Sequence, residues 1–358
     1  MVTILCGGPG LGFYVPGAIL ARRLRGRRPT ELTVIEGLLP PEKQERVRRS
    51  RQGFHKDFRF ALMAQRLARD ISGELEPALV EELLLRWQAE RRREFVVFSG
   101  FWAGVVTRYI RGHAEVPVRA DFCHVDSAVS PSWGLTSERP PGVADVWFLR
   151  WEERRLCYRL DVTGAAPVPW AQRNGRFLVH GGGWGVGTYR ERARELEPFR
   201  LPLDLLYYER AQAAGPEADA RRFLLDPAWF PFVPGAGLFP PLAMVAADGT
   251  VYPLSDACGP PLFELTRDAA AIISKPGGGT LIDSLAAATP LVLLEPCGEY
   301  ERKNGLLWQQ LGFAVPFAAW IESGCSRELL RPLHENLLAA RTQVPDYAEH
   351  LCESGARS

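Results

Sequence analysis

A short apolar run that ends among glycines and gives way to an amphipathic stretch occurs twice in this chain, once at its start and once near its middle. Val2–Cys6 leads into Gly7-Gly8-Pro9-Gly10-Leu11-Gly12 and then Val15–Arg25, with apolar residues at Ala18, Ile19, Leu20 and Leu24. Arg176–His180 leads into Gly181-Gly182-Gly183-Trp184-Gly185-Val186-Gly187-Thr188 and then Tyr189–Leu196. Strand, glycine-rich turn and helix in that order open a parallel α/β domain. Two such openings in 358 residues predict two successive α/β domains, because a single hydrophobic core stops growing well before that length.

The remaining periodicities agree. In the first half, Leu32–Ile35, Phe95–Ser99 and Val118–His124 read as strands, and Phe60–Ile71, Leu75–Ala89 and Trp102–Ile110 as helices. The uncharged, proline-rich Gly164-Ala165-Ala166-Pro167-Val168-Pro169-Trp170 then breaks the pattern, as a linker would. Beyond it, Leu203–Tyr208, Ala269–Ser274 and Leu291–Glu295 read as strands, with a helix from Leu281 to Ala288. The expected division is a first domain over 1–165, a linker over 166–175, a second domain over 176–325 and a helical tail over 326–358. Such a tail, polar on one face, is suited to packing back onto the first domain.

Composition narrows the function. A net charge of +1 creates no general field that would gather nucleic acid or anionic lipid, so any phosphate site must be local. The seven cysteines are scattered, with no CxxC pair, which argues against a disulfide framework and a structural zinc site. No apolar run approaches the roughly 20 residues that cross a bilayer. The expected setting is the cytoplasm.

Lysine is scarce (Lys43, Lys56, Lys275, Lys303), so a lysine beside a glycine triplet stands out. Ile272-Ile273-Ser274 ends a buried strand, Lys275-Pro276-Gly277-Gly278-Gly279-Thr280 follows, and a helix begins. Glycines there serve either a positive φ or the close approach of a ligand to the backbone. The free N–H groups and positive dipole end of a helix start suit a diphosphate. Lys275 adds a point charge, Thr280 can cap the helix or bind a phosphate oxygen, and Asp283, one turn on, can accept bonds from ribose hydroxyls. The loop is neither a Walker loop nor a GxGxxG turn. Next, Leu291–Glu295 ends at Pro296, and Cys297-Gly298-Glu299-Tyr300-Glu301-Arg302-Lys303-Asn304 supplies carboxylates at a sheet edge, where sugar hydroxyls can be bound.

Residues 275–290 followed by 296–304 resemble the donor-binding region of the GT-B UDP-glycosyltransferase superfamily, which includes natural-product glycosyltransferases and the lipid II-forming enzymes. The resemblance implies two Rossmann-like domains facing a cleft, a UDP- or TDP-sugar as co-substrate with no further cofactor, and glycosyl transfer to a small molecule. Lys275 stands where the family commonly has His, Asp283 on the acidic position that holds the ribose, and Tyr300-Glu301 where an Asp/Glu-Gln pair is usual. Asn304 falls on the family's Asn, and Glu299 is a second candidate for the sugar. His180–Thr188 is similar to the turn that opens the same domain, which adds Gly183 and Trp184 to the donor set. A DxD pair is missing from the sequence, so no metal is expected.

In this family the first turn of the N-terminal domain commonly carries Gly-His-x-x-Pro, whose His deprotonates the acceptor. Here Gly12-Phe13-Tyr14-Val15-Pro16 puts Phe13 in that place, leaving Gly12, Phe13 and Tyr14 as acceptor-binding candidates without a base. Asp126 is the first substitute, His124 the second, both from a strand end, and a loop histidine, His55, the third. An aromatic or amine-bearing acceptor would suit the missing His and the tryptophans at 102, 133, 147 and 151. A nucleotide-sugar epimerase and an inert homologue acting as a partner remain alternatives, as does a homodimer.

Overall fold

The computed structural model describes residues 1–7, 10–66, 71–213, 220–257 and 259–356. β1 (Val2–Cys6) lies at the centre of the first sheet, and its side chains divide by alternation. Val2, Ile4 and Cys6 enter one core and Leu5 the other, so both faces are covered. α1 (Val15–Leu24), β2 (Thr30–Val34), α2 (Pro41–Lys56), α3 (Phe58–Arg66) and α4 (Pro77–Ala89) follow. β3 (Glu94–Val97), α5 (Ala103–Gly112), β4 (Arg119–His124) and β5 (Val143–Trp147) complete a five-stranded, wholly parallel sheet of order β2-β1-β3-β4-β5. The strand order reverses between β1 and β3.

After a short hairpin, β6 (Leu149–Arg150) and β7 (Arg155–Leu156), the chain crosses to the second sheet. This contains β8 (Phe177–Val179), α6 (Tyr189–Glu195), β9 (Leu203–Tyr207), α7 (Arg210–Ala213), β10 (Arg221–Leu225), β11 (Leu242–Val245) and β12 (Val251–Pro253). α8 (Pro261–Asp268), β13 (Ala271–Ser274), α9 (Gly278–Ala287), β14 (Leu291–Leu293), α10 (Glu299–Gln310), β15 (Ala314–Pro316) and α11 (Phe317–Glu322) follow. The eight strands run in the order β12-β11-β10-β9-β8-β13-β14-β15. The six from β10 to β15 are parallel, and β11 and β12 add an antiparallel edge. Here the order reverses between β8 and β13. These are the topological switch points, where loops diverge and leave a crevice.

The expected elements recur with shifted ends. Trp102–Ile110 is the helix Ala103–Gly112, and of the helix expected over 60–71, residues 67–70 lie outside the described residues. α2, β5 and the excursion from β10 through β12 had no expectation at all. The segment 166–175 is more than a spacer, because Arg173 is buried and reaches the far end of α9. Its guanidinium donates to the carbonyls of Ala269, Ala287 and Ala288 and to Thr289 Oγ1, at 2.6, 2.7, 3.2 and 2.8 Å.

The tail divides between the domains. α12 (Arg331–Gln343) stays with the second, where Arg341 donates to Leu285 and Ala286 carbonyls and His334 Nδ1 lies 2.7 Å from Ala288 O. α13 (Tyr347–Ala356) crosses to the first, where Tyr347 donates to Asp121 Oδ2 at 2.8 Å and Arg27 holds Glu349 at 2.7 Å. The two chain crossings are stitched side by side, Arg159 N to Pro345 O at 3.0 Å and Tyr347 N to Arg159 O at 2.9 Å.

Arg173→Met removes donations to two carbonyls at the end of α9, Ala287 and Ala288, and to the Ala269 carbonyl after α8, in a dry site. We expect a loss of about 2–3 kcal/mol, which for a domain of this size lowers Tm by roughly 4–12 °C. Calorimetry showing a Tm within about 1 °C of wild type would remove Arg173 from the account of how α9 is held.

Candidate functional site

The loops at the two switch points face each other across one cavity of about 600 Å³. The first domain contributes Gly10–Phe13 after β1 and Phe101 after β3, and the second contributes His180–Trp184 after β8 and Lys275 with Gly277–Thr280 after β13. None of Gly277, Gly278 and Gly279 needs a positive φ. What the structure demands at Gly278 is proximity: a Cβ there would lie 2.9 Å from Val125 Cγ2 and 3.0 Å from Asp126 Oδ1. The approaching body is therefore the other domain. Gly183 repeats the arrangement, since its Cβ would fall 2.3 Å from Leu11 Cβ.

α9 begins at Gly278 with Gly277 as N-cap and no side chain capping it. Thr280 is thus not a cap, and its buried side chain lines the cavity. Gly278 N–H donates to the Asp126 carboxyl, and Leu281 N bonds Gly277 O. The amides of Gly279 and Thr280 belong to the first turn, where no intrahelical carbonyl is available. Lys275 Nζ lies against this turn and donates to Glu301 Oε1 at 2.5 Å. Burial opposes its charge, but Glu301 outweighs burial and the ammonium is held more firmly than usual. Glu301 also accepts Cys297 N–H at 2.6 Å.

Asn304 ties the domains together through its side-chain amide. Its amide donates to Asp126 Oδ1 at 2.7 Å and Pro276 O at 3.0 Å, and its oxygen accepts Ser127 N–H at 2.7 Å. Expected among the donor residues, it is instead fully buried and does not line the cavity. Glu299 also lies away from the wall, exposed and paired with Arg302 at 2.6 Å.

Asp126 is buried yet lines the cavity. Burial pushes its carboxyl up to about 7, against the opposing bond from Asn304 and with help from the charge of Glu301. Asp283, half-buried on the same helix face as the loop, is also raised to about 7, by burial alone.

The two histidines expected as bases do not reach the wall. His124 is stacked on Trp147 with ring centroids 4.0 Å apart and holds Asp145 through Nε2 at 2.8 Å. His55 is not in a loop but in the last turn of α2, where its ring nitrogens meet Gly185 O at 3.1 Å and Gln212 Oε1 at 3.0 Å. Both rings are spent on structure.

Gly12 and Phe13 line the cavity, whereas Tyr14 turns away and donates to Leu238 O at 2.8 Å. Trp102 and Trp133 are core residues, and the tryptophan on the wall is Trp184, stacked on Phe54 at 6.1 Å.

His180 was not singled out as a site residue. Its Nδ1 accepts Gly182 N–H at 3.0 Å, and since an amide only donates, the ring is neutral with its proton on Nε2. Burial, reinforced by the charge of Lys275, lowers it to about 3. A histidine ending a strand just before a glycine cluster was the available signal. Phe239, Pro240 and Phe263 also line the cavity, from segments without any motif.

Among the described residues no group of three or more His, Cys, Asp or Glu is placed to hold a metal ion, and no helix is long and apolar enough to cross a membrane.

No protein-family model and no curated protein matches the chain. Several solved structures do resemble it over nearly their whole length. The glycosyltransferase SnogD from Streptomyces nogalater has a TM-score of 0.56 at 14% identity, covering 100% of this chain and 99% of that one. The spinosyn rhamnosyltransferase SpnG has a TM-score of 0.55 at 12% identity, covering 99% and 100%. The Streptomyces sp. SF2575 glycosyltransferase SsfS6, complexed with thymidine diphosphate, has a TM-score of 0.53 at 12% identity, covering 100% and 99%. At such identities the likeness is one of fold, and that fold is the expected pair of Rossmann-like domains facing a cleft, GT-B.

Two tests follow from the geometry. Gly278→Val drives a side chain into Val125 and Asp126, and we expect a loss of roughly 1–3 kcal/mol in denaturant unfolding, with none for Gly279→Ala, where a Cβ meets nothing within 4 Å. Asp283 has a folded-state pKa above its unfolded one, so its contribution to stability is present below about pH 4 and is lost as pH rises through about 7. Asp283→Asn should therefore flatten the fall in Tm over that range. An unchanged slope would show that the carboxyl titrates normally.

Proposed function

We propose that this protein is a glycosyltransferase that moves a sugar from a nucleoside diphosphate sugar, a TDP- or UDP-sugar, to a small-molecule acceptor of the natural-product class. The observation that carries the reading is the first turn of α9, whose Gly279 and Thr280 amides have no intrahelical carbonyl to bond, with the ammonium of Lys275 beside it, at a cavity shared by two GT-B domains. The thymidine diphosphate bound to the similarly folded SsfS6 supports it.

In this mechanism the diphosphate lies on the first turn of α9. The amides of Gly279 and Thr280 and the charge of Lys275 stabilise the negative charge that grows as the bond from the anomeric carbon to the diphosphate oxygen breaks. That electron pair leaves with the diphosphate. Asp283 accepts hydrogen bonds from the ribose, and the glycine-rich turn with Gly183 and Trp184 covers the nucleotide. An acceptor hydroxyl, held by the first domain near Phe13, forms the new bond to the anomeric carbon, and its proton passes to Asp126. A carboxyl titrating near 7 suits a base working at neutral pH better than an ordinary aspartate does. The neutral His180 adds no competing positive charge to the site.

TDP and UDP should raise Tm, by the equivalent of about 2.7 kcal/mol when present at 100 times Kd. Lys275→Ala and Asp283→Ala should each weaken the preferred diphosphate about tenfold or more in calorimetry, and unchanged affinity in both would end the donor assignment. Asp126→Asn should leave diphosphate affinity near wild type and lower kcat by roughly 10²–10⁴-fold with a hydroxyl acceptor. Wild-type turnover in that variant would remove Asp126 from the reaction.

A further inference from the structure

His180, which follows β8, is only 3% exposed and yet lines the cavity. Its Nδ1 is taken: it accepts Gly182 N–H at 3.0 Å and lies 3.4 Å from Ser274 Oγ. Gly182, at φ +71°, folds the turn back onto the ring, and its carbonyl accepts the Tyr208 hydroxyl, so the ring is held in one orientation. With Nδ1 accepting, the single proton of the neutral imidazole is on Nε2. That N–H has no partner among the described residues, and Nε2 is not closed off from the cavity. A buried donor without an acceptor is uncommon enough to need a reason. Lys275, whose charge acts on the ring, lies close by. A Cβ on Gly182 would stand 3.8 Å from Lys275 Nζ, and one on Gly277 3.1 Å from it, so the ammonium sits between the two glycine turns. Glu301 takes one of its three N–H groups.

We propose that His180 binds a diphosphate oxygen of the sugar donor through its Nε2–H. The proposal rests on the nucleotide-sugar reading of the cavity and adds a residue to it. The first turn of α9 and Lys275 come to the diphosphate from the β13 side, and His180 comes to it from β8, the strand on the other side of the switch point. The anion is thus met by donors from both strands, with Lys275 between them. The bond is one of binding and not of acid catalysis. A neutral imidazole that gave up its Nε2 proton would become an imidazolate beside an anion, so the proton stays on the ring. As charge grows on the departing diphosphate, it meets an N–H already aligned by the Gly182 bond, with no reorganisation at the moment of reaction.

The test separates the two ring nitrogens. His180→Asn keeps an oxygen near the place of Nδ1 to accept Gly182 N–H but has nothing at Nε2. His180→Gln keeps an N–H near the place of Nε2 but loses the acceptor for Gly182. In calorimetry on the full chain with TDP and UDP, His180→Asn should weaken the better ligand roughly 10- to 100-fold. His180→Gln should stay within about threefold of wild type, while its Tm falls by roughly 2–4 °C. In wild type with isotope-labelled histidine, the Nε2–H resonance of His180, assigned by its absence from His180→Gln, should move downfield when TDP is added. Wild-type affinity in His180→Asn, an equal loss in both variants, or an unmoved resonance in TDP-saturated wild type would overturn the proposal and leave the donor reading standing. If wild type binds neither TDP nor UDP, the donor reading falls and the role of His180 falls with it.

Discussion

The contact between Gly278 and the Val125–Asp126 pair is the constraint on which the site depends. It brings the first turn of α9 against the end of β4 from the other domain, at a separation that admits no Cβ. Asn304 closes the same junction with three hydrogen bonds, two of them to residues 126 and 127. A glycine and a saturated asparagine therefore determine how far apart the sheets stand, and hence that both switch points open into one cavity. The same contact buries Asp126, whose proton affinity follows from its place in the junction.

α9 is held at its far end by charge. Arg173 from the linker and Arg341 from α12 donate to its last carbonyls, joined by the neutral His334, whose pKa burial lowers. Cations at a helix C-terminus complement its dipole and leave the N-terminal end, with its free amides, aimed at the cavity. The end of α9 at the cavity makes one bond to the other domain, from Gly278 N–H to Asp126, whereas the opposite end is densely bonded and sets the direction of the helix. Tail and linker, which look like connections in sequence, are parts of that anchorage.

The cavity wall is assembled from both domains. The excursion after β10 brings Trp229 against Tyr14 and accepts bonds from Arg51 on α2 through the Trp229 and Asp226 carbonyls, at 3.1 and 3.4 Å. Phe239, at the end of the same segment, then forms part of the cavity wall. The cavity is thus enclosed by residues far apart in sequence, with Glu36 and Asp126 among the carboxyls on its wall.

The amino-acid sequence by itself determined the local elements and the composition of the glycine loop after β13. Val2–Cys6 and Ala271–Ser274 are continuous apolar runs that only a strand covered on both faces can use, and the glycines after them mark the turns. Lys275, the glycine triplet, Thr280 and Asp283 are contiguous, so their grouping needed no folding to be seen. What folding alone decided is everything that depends on two distant segments meeting. His124 and His55 are chemically suitable bases, but ring stacking and hydrogen bonds across elements spend them elsewhere, whereas Asp126 is brought to the wall by a helix more than a hundred positions away in the chain. Asn304 became a domain clamp, and Glu36 and Phe239 became wall residues, for the same reason. A motif is a property of neighbours in sequence, while burial, proton affinity and access to a cavity belong to neighbours in space.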